Sequence, residues 1–260
     1  MATFLFEEII FGPVKSRRLG NSLGVNLLPE TTKMCNYNCI YCECGWTKVF
    51  KSENSDGLHS RLEIQVALKE KLKAMKETNE PLDVITFAGN GEPTMHPEFP
   101  GIIDDTLALR DMYFPEVKVS VMSNAAYVDQ KDVFEALSRV DMNILKLDSA
   151  MESTFRIINR PTGKFTLDKL INNLKLFKGN FILQTLFLRG TVKERIIDNT
   201  SGEEVQAWLN ILKEIRPSKI MVYTFARDTP VEGLQKIPAD ELREIALQAE
   251  ELGFDVEITA

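Results

Sequence analysis

Cys35-Asn36-Tyr37-Asn38-Cys39-Ile40-Tyr41-Cys42 sets three cysteines in the pattern C-x3-C-x2-C, and Cys44 follows two residues later. The 260-residue chain holds no other cysteine. Structural cysteines act as small buried hydrophobes and scatter along a chain, and a disulfide framework would find no partner outside the cluster. The crowding therefore reads as a metal site. Structural zinc favours two C-x2-C pairs separated by a longer run, whereas thiolates on one compact loop suit a 4Fe-4S cluster. Spacing alone leaves two ligand sets open. Cys35, Cys39 and Cys42 hold three irons and leave the fourth open, or Cys44 joins them and closes a four-thiolate site at the cost of two crowded ligands in C-x-C.

Working outward, the run 23–29 reads as a core strand ended by Pro29, so the cysteine loop sits just past a strand's C-terminal end. The residues before it, about 1–20, read as irregular or hairpin-like, with a turn at Gly12-Pro13. The loop runs on to about residue 57. Ser60-Arg61-Leu62-Glu63 is a capping box, and Ile64, Leu68, Leu72 and Met75 then fall on one helical face. Short, mostly apolar runs at 82–88, 117–122, 143–147, 181–188 and 219–225 read as buried parallel strands, and 254–259 as a last one. Helical patterns separate them at 97–110, at 151–159 and 167–178, and at 238–252. Asp129 caps a further helix carrying Val133, Phe134, Leu137 and Val140. Ser201-Gly202-Glu203-Glu204 reads as a second capping box, opening a helix with Val205, Leu209, Leu212 and Ile215. About six strand–helix units argue for an α/β fold, a parallel (β/α) partial TIM barrel. No linker or repeat interrupts it, which predicts one domain over 1–260. The working face of such a barrel is the C-terminal end of its strands.

Composition narrows the class. Hydrophobic residues make up 44% and charged residues 27%, as in an ordinary globular protein. The net charge of −7 argues against sequence-blind nucleic-acid binding, which relies on Lys and Arg. No run of 18 apolar residues predicts a membrane span, and the start, with Glu7 and Glu8 and no basic region, is not a secretory signal. Clustered thiols then predict a reducing cytoplasm.

The remaining polar features fall after strands. Gly89-Asn90-Gly91-Glu92-Pro93 fails as a dinucleotide fingerprint, because the third glycine is missing and Glu92 would face a pyrophosphate. Its carboxylate and open carbonyls suit a cation such as an amino acid's ammonium group. Ser123-Asn124 is either a turn pair or a binding pair. Asp148 either caps the next helix or binds a ligand hydroxyl, and Lys146 faces either into or out of the barrel. Gln184 is a core amide or a ligand contact. His96 reads as structural and His59 as a surface residue. Lys15, Arg17 and Arg18, with Arg156, Arg160 and Lys164, either line an entrance for an anionic substrate or form a solvated face.

The cysteine spacing, with Phe11-Gly12-Pro13, Ser16-Arg17-Arg18-Leu19-Gly20, Ser22-Leu23-Gly24-Val25-Asn26, Gly89 to Thr94, Lys146-Leu147-Asp148 and Ile158-Asn159-Arg160-Pro161, resembles a prokaryotic group of radical S-adenosylmethionine (SAM) enzymes. Its members are labelled Fe-S oxidoreductases and are related to the tRNA wyosine-synthesis enzymes. The likeness spans nearly the whole chain. It implies a 4Fe-4S cluster on Cys35, Cys39 and Cys42, and SAM on the open iron. Reductive cleavage of SAM would give methionine and a 5′-deoxyadenosyl radical that abstracts hydrogen from a substrate. It implies SAM contacts from Gly89, Asn90, Gly91, Glu92, Ser123, Asn124, Asp148 and Gln184, with Tyr41 against the adenine. It implies an electron donor such as flavodoxin or ferredoxin, and a small molecule, protein or tRNA as substrate. Glycyl-radical activase, tRNA-base modification, a non-catalytic Fe-S electron-transfer protein and a zinc-stabilised module stand as alternatives. Cys44 alone cannot ligate the second cluster of the wyosine enzymes, which sets that reaction apart.

Overall fold

A computed structural model describes residues 4–49 and 57–260. The chain opens with a hairpin, β1 (Ile10–Ser16) and β2 (Gly20–Val25). Strands and helices then alternate: α1 (Arg61–Thr78), β3 (Val84–Phe87), α2 (Phe99–Tyr113), β4 (Lys118–Ser123), α3 (Lys131–Arg139), β5 (Met142–Lys146), α4 (Glu152–Ile158), α5 (Leu167–Leu176) and β6 (Ile182–Leu186). An antiparallel excursion, β7 (Leu188–Val192) and β8 (Arg195–Asp198), precedes α6 (Gly202–Ile215) and β9 (Lys219–Tyr223). The chain closes with β10 (Leu234–Lys236), α7 (Ala239–Glu250) and β11 (Val256–Thr259).

The main sheet has the order β1-β2-β3-β4-β5-β6-β9-β11. All its pairings are parallel except β1 with β2. It curls into a half-barrel, as the alternating pattern predicts. Side-chain alternation along the strands separates two cores. Ile85, Val119, Leu145, Leu183 and Ile220 face outward and join Leu68, Leu72, Phe99, Leu137, Leu174 and Leu212 of the helices. Val84, Ile144 and Met221 face inward and, with Leu19 of the hairpin turn, plug the barrel floor. Higher up, the interior turns polar, where Ser22 and Thr86 share a 2.8 Å hydrogen bond.

The sheet does not close on itself, and the β1–β2 turn spans the gap. Arg17 donates to the main-chain oxygen of Ala260 at 2.8 Å, and the Arg18 guanidinium lies 4.6 Å over the Tyr223 ring. Ala260 follows β11, the far edge strand, and Tyr223 ends β9 beside it, so two arginines bridge the open side.

Several expectations are corrected. The first strand ends at Val25 rather than 29, because Asn26 folds back through its side chain onto Leu28 and onto the Asn90 amide. Asp129 does not cap α3; it pairs with Lys169 at 2.7 Å, and α3 starts after Gln130 without a side-chain cap. Ser60 and Glu63 form the full capping box, but at α6 only Ser201 caps. Glu204 turns instead to Ser149 at 2.8 Å. The sheet of β10, β7 and β8 has no counterpart in the sequence reading. Its hairpin turns on Lys193 and Glu194, both at positive φ (46° and 66°), where Asn-Gly is the usual signal. The expected stretch of cysteine loop at 50–56, and residues 1–3, lie outside the described residues. No helix among the described residues is long and apolar enough to cross a membrane.

Leu72 of α1 is fully buried, whereas Leu62, ten residues earlier, is 66% exposed. Leu72→Ala should lower the free energy of unfolding by about 2–5 kcal/mol, and Leu62→Ala by less than about 0.5 kcal/mol. Urea titration of both variants checks whether α1 seats the face described.

Candidate functional site

The cysteine loop is held by main-chain hydrogen bonds on two flanks. On one side Met34 N–H donates to the Asn90 carbonyl (2.8 Å) and Glu92 N–H donates to the Met34 carbonyl (3.1 Å). On the other, Asn38 N–H donates to the Asn159 carbonyl (3.0 Å), Ile40 N–H to Ile158 (2.9 Å), and Thr162 N–H to Asn36 (2.9 Å). Gly91 explains why the first flank can close. Its φ is +144°, and a Cβ there would stand 1.7 Å from the Met34 oxygen. The loop thus joins two motifs that are far apart in the chain.

Cys35, Cys39 and Cys42 line one cavity of about 330 Å³ at the barrel mouth, with Tyr41, Gly89, Gly91, Glu92, Ser123, Asn124 and Gln184. Burial pushes the Cys35 and Cys39 thiols up. Cys42 is held down, first by a hydrogen bond from Cys44 and then by Lys33, and Cys44 is raised by the same bond. Lys33 is a site residue that the sequence reading passed over. It is 3% exposed, its Nζ donates to the Gly45 carbonyl at 3.1 Å, and its ammonium faces Cys42, Cys35 and Cys39. Burial alone would lower its pKa, but the sulfurs carry it well above the ordinary lysine range.

These thiols fit an iron–sulfur cluster. They come from one loop, face one cavity and have a buried cation beside them to offset thiolate charge. No three Cys, His, Asp or Glu side chains among the described residues converge on a single-ion position. Two side-chain amides also point at these sulfurs: Asn124 at 3.8 Å from Cys35 and Asn159 at 3.6 Å from Cys39. Cys44 lines the same cavity; its thiol bonds Cys42 and lies 3.4 Å from the Gly89 carbonyl.

Glu92 is 2% exposed, and its carboxylate accepts four hydrogen bonds. They come from Thr94 N–H (3.2 Å), Thr94 Oγ1 (2.5 Å), Ser123 Oγ (2.7 Å) and Asn124 N–H (2.7 Å). Burial raises its pKa, and these donors oppose that shift. Glu92 therefore ties the loop after β3 to the end of β4. Gln184 points into the cavity from β6, and its side-chain amide makes no hydrogen bond among the described residues.

Two expected contacts stand elsewhere. Asn90 does not line the cavity; its side chain holds the Phe6 main chain and the Pro29 carbonyl, each at 2.9 Å. Asp148 neither lines the cavity nor caps α4. It lies behind Tyr41 and accepts from the Tyr41 hydroxyl, from Asn159 Nδ2 at 2.6 Å and from Leu186 N–H at 3.0 Å. Lys146 faces inward, 2.7 Å from the Tyr41 hydroxyl and 3.3 Å from the Tyr223 hydroxyl. Burial would lower its pKa, but Asp148 raises it well above the ordinary range. Asn199 donates to the Asp148 and Leu186 carbonyls at 2.7 and 2.8 Å. Tyr223 and Asn199 carried no sequence signal, because neither sits in a motif.

Arg17 and Arg18 line the cavity, whereas Arg156 pairs with Glu152 on α4 and Arg160 stacks over Trp46. His96 is structural. Its ring accepts from Glu98 N–H and bonds the His59 carbonyl at 2.9 Å, and burial lowers its pKa.

The family model for the radical SAM superfamily matches residues 30–220. The chain is 32% identical over 237 residues to a protein named GTPase Obg of Brachyspira hyodysenteriae, covering 90% of this chain and 32% of that one. It thus spans about a third of that relative's length. It is 33% identical over 238 residues to a UPF0026 protein of Methanocaldococcus jannaschii, covering 90% of this chain and 68% of that one. Among solved structures, a radical SAM methyltransferase from Sphaerobacter thermophilus aligns with a TM-score of 0.66 at 12% identity, covering 92% and 65% of the two chains. Streptococcus suis SuiB bound to S-adenosylmethionine gives 0.61 at 13%, covering 91% and 50%. An archaeal TYW1 gives 0.51 at 14%, covering 88% and 71%. At these identities the structural likeness is one of fold.

Two outcomes follow from the geometry. Glu92→Gln puts an N–H donor among four donors and should cost about 1–3 kcal/mol in urea unfolding; an unchanged midpoint would remove Glu92 as the tie between the loops. His96 takes up a proton less readily when folded, so stability should fall as pH drops below about 6.5 toward its lower folded pKa. His96→Gln should flatten that slope in pH-resolved thermal melts.

Proposed function

The chain belongs to the radical SAM superfamily, and within it to the UPF0026 family, and from that premise we propose that Cys35, Cys39 and Cys42 hold its cluster and that the barrel mouth receives SAM. Members of the superfamily bind a 4Fe-4S cluster and SAM. When bound, the pair supplies one-electron cleavage of SAM and, from it, hydrogen-atom abstraction from a substrate. The observation that carries the reading is the shared cavity, whose wall includes three thiols, the loop of Gly89, Gly91 and Glu92, and Gln184.

The chain's own residues have distinct tasks. Lys33 balances thiolate charge, which matters most where water is scarce. Asn124 and Asn159 donate toward ligand sulfurs, an arrangement that tunes a cluster's potential. The loop of Gly89, Gly91 and Glu92 would hold the ammonium end of SAM. Gln184, which lines the cavity, would hold its carboxylate or ribose. Tyr41, fixed by Asp148 and Lys146, offers a flat face to the adenine. Asn90 and Asp148 act through the groups they hold. Cys44 stays outside the ligand set. A Fe-S electron-transfer protein would need no such SAM-sized wall beside its thiols.

The same reading takes residues 1–260 as one domain, a reducing cytoplasm as the setting for four free thiols, and a flavodoxin or ferredoxin as electron donor. Anaerobic reconstitution with iron and sulfide, then SAM and a strong reductant, should give a brown protein that forms 5′-deoxyadenosine. Cys39→Ala should lose both colour and product. A colourless protein carrying about one zinc per chain would overturn the proposal.

A further inference from the structure

The cavity has two sides of different chemistry. The thiols, Glu92 and Asn124 make one side. The other is built from Arg17 and Arg18 of the β1–β2 turn and from Tyr223 and Phe225 at the end of β9 and just beyond it. Five cations line the whole cavity. Lys33 faces three sulfurs, Lys146 lies 3.6 Å from Asp148, and Arg227 lies 2.7 Å from Glu43. Arg17 donates to the Ala260 main-chain oxygen. Arg18 has no acidic partner among the described residues, and its Nη1 is buried without a hydrogen-bond partner.

A guanidinium edge cut off from water is costly unless an acceptor meets it. Stacking on Tyr223 offsets part of that cost and fixes the plane of the fork. The open edge of a fixed guanidinium matches two oxygens of a carboxylate or phosphate. Elsewhere in the lining, Glu92 carries a carboxylate and the Lys33 ammonium is already matched to the cysteine sulfurs. Phe225 adds an apolar surface on the Arg18 side. We propose that Arg18 anchors the substrate, and that the substrate is a small molecule with a carboxylate or phosphate on an apolar body. Nη1 is closed off within the protein, so the substrate's group meets the remainder of the guanidinium, which lines the cavity. This deepens the SAM-enzyme reading and rests on it, since the substrate must lie beside SAM.

The test titrates the reconstituted protein, with SAM bound, against phenylacetate and phenyl phosphate at constant ionic strength, followed by calorimetry. At least one probe should bind saturably, and the tighter one identifies the carboxylate or the phosphate as the recognised group. Arg18→Gln should weaken that binding about tenfold or more, the loss of one charge-assisted pair. Arg18→Lys keeps the charge without the fork and should fall between. SAM affinity should stay within about twofold in both variants, since Arg18 is assigned to the substrate. The proposal is overturned if neither probe saturates, if Arg18→Gln binds equally well, or if SAM affinity falls as much as probe affinity. Loss of SAM cleavage with probe binding intact would instead count against the enzymatic reading alone.

Discussion

The buried carboxylate of Asp148 is the point on which the site's geometry depends. Its side chain is fully shielded from solvent. It meets three hydrogen-bond donors and one cation: the Tyr41 hydroxyl of the cysteine loop, the Asn159 amide after α4, the Leu186 N–H of β6, and the Lys146 ammonium at the end of β5, 3.6 Å away. A buried carboxylate is tolerable only when so satisfied, and each donor is in turn held in one position. The chain of contacts continues to a cysteine sulfur, because the Asn159 amide that reaches Asp148 also points at Cys39. The placing of Cys39 thus depends on a carboxylate two contacts away that does not itself line the cavity. The main-chain stitching of the loop against 158–162 sets the same flank a second time.

Charge inside the cavity runs opposite to charge on the chain. The chain carries −7 overall, yet five cations line the cavity against two carboxylates. Three of these cations answer local negative groups; Lys33 and Lys146 do so out of reach of most of the screening that weakens surface ion pairs, whereas the Arg227–Glu43 pair is exposed to it. The bulk acidity therefore bears on solubility and on nonspecific contact with nucleic acid, and carries no information about the mouth of the barrel.

How much was legible follows from where each signal lives. The helical faces of α1 and α6, the apolar runs of the strands and the C-x3-C-x2-C loop are local patterns, and the fold obeys them. Gly91 was legible as part of a motif, but its reason, the approach to Met34, is a contact across 57 positions. Asn90 was placed in the site because its neighbours belong there, and only the packing of Phe6 and Pro29 shows which way it turns. Lys33, Tyr223 and Asn199 acquire meaning solely from partners distant in sequence. The β7–β8 hairpin stayed hidden because Lys193 and Glu194 adopt a conformation their chemistry does not advertise. Asp129 and Glu204 show the reverse, local capping signals overruled by longer-range partners.

The two-flank attachment of the cysteine loop also has a consequence in time. Asn38 and Ile40 find their main-chain partners at 158–160, more than a hundred residues downstream. Contacts of such separation form late. At synthesis rates of about 5–20 residues per second, roughly 6–24 s separate the emergence of Cys42 from that of Arg160. Through that interval the thiols lack the wall that later encloses them, and are open to oxidants and stray metal ions in the cell. Protection of the nascent loop, or speed in completing the first half of the barrel, is then as much a condition for a usable site as any side chain within it.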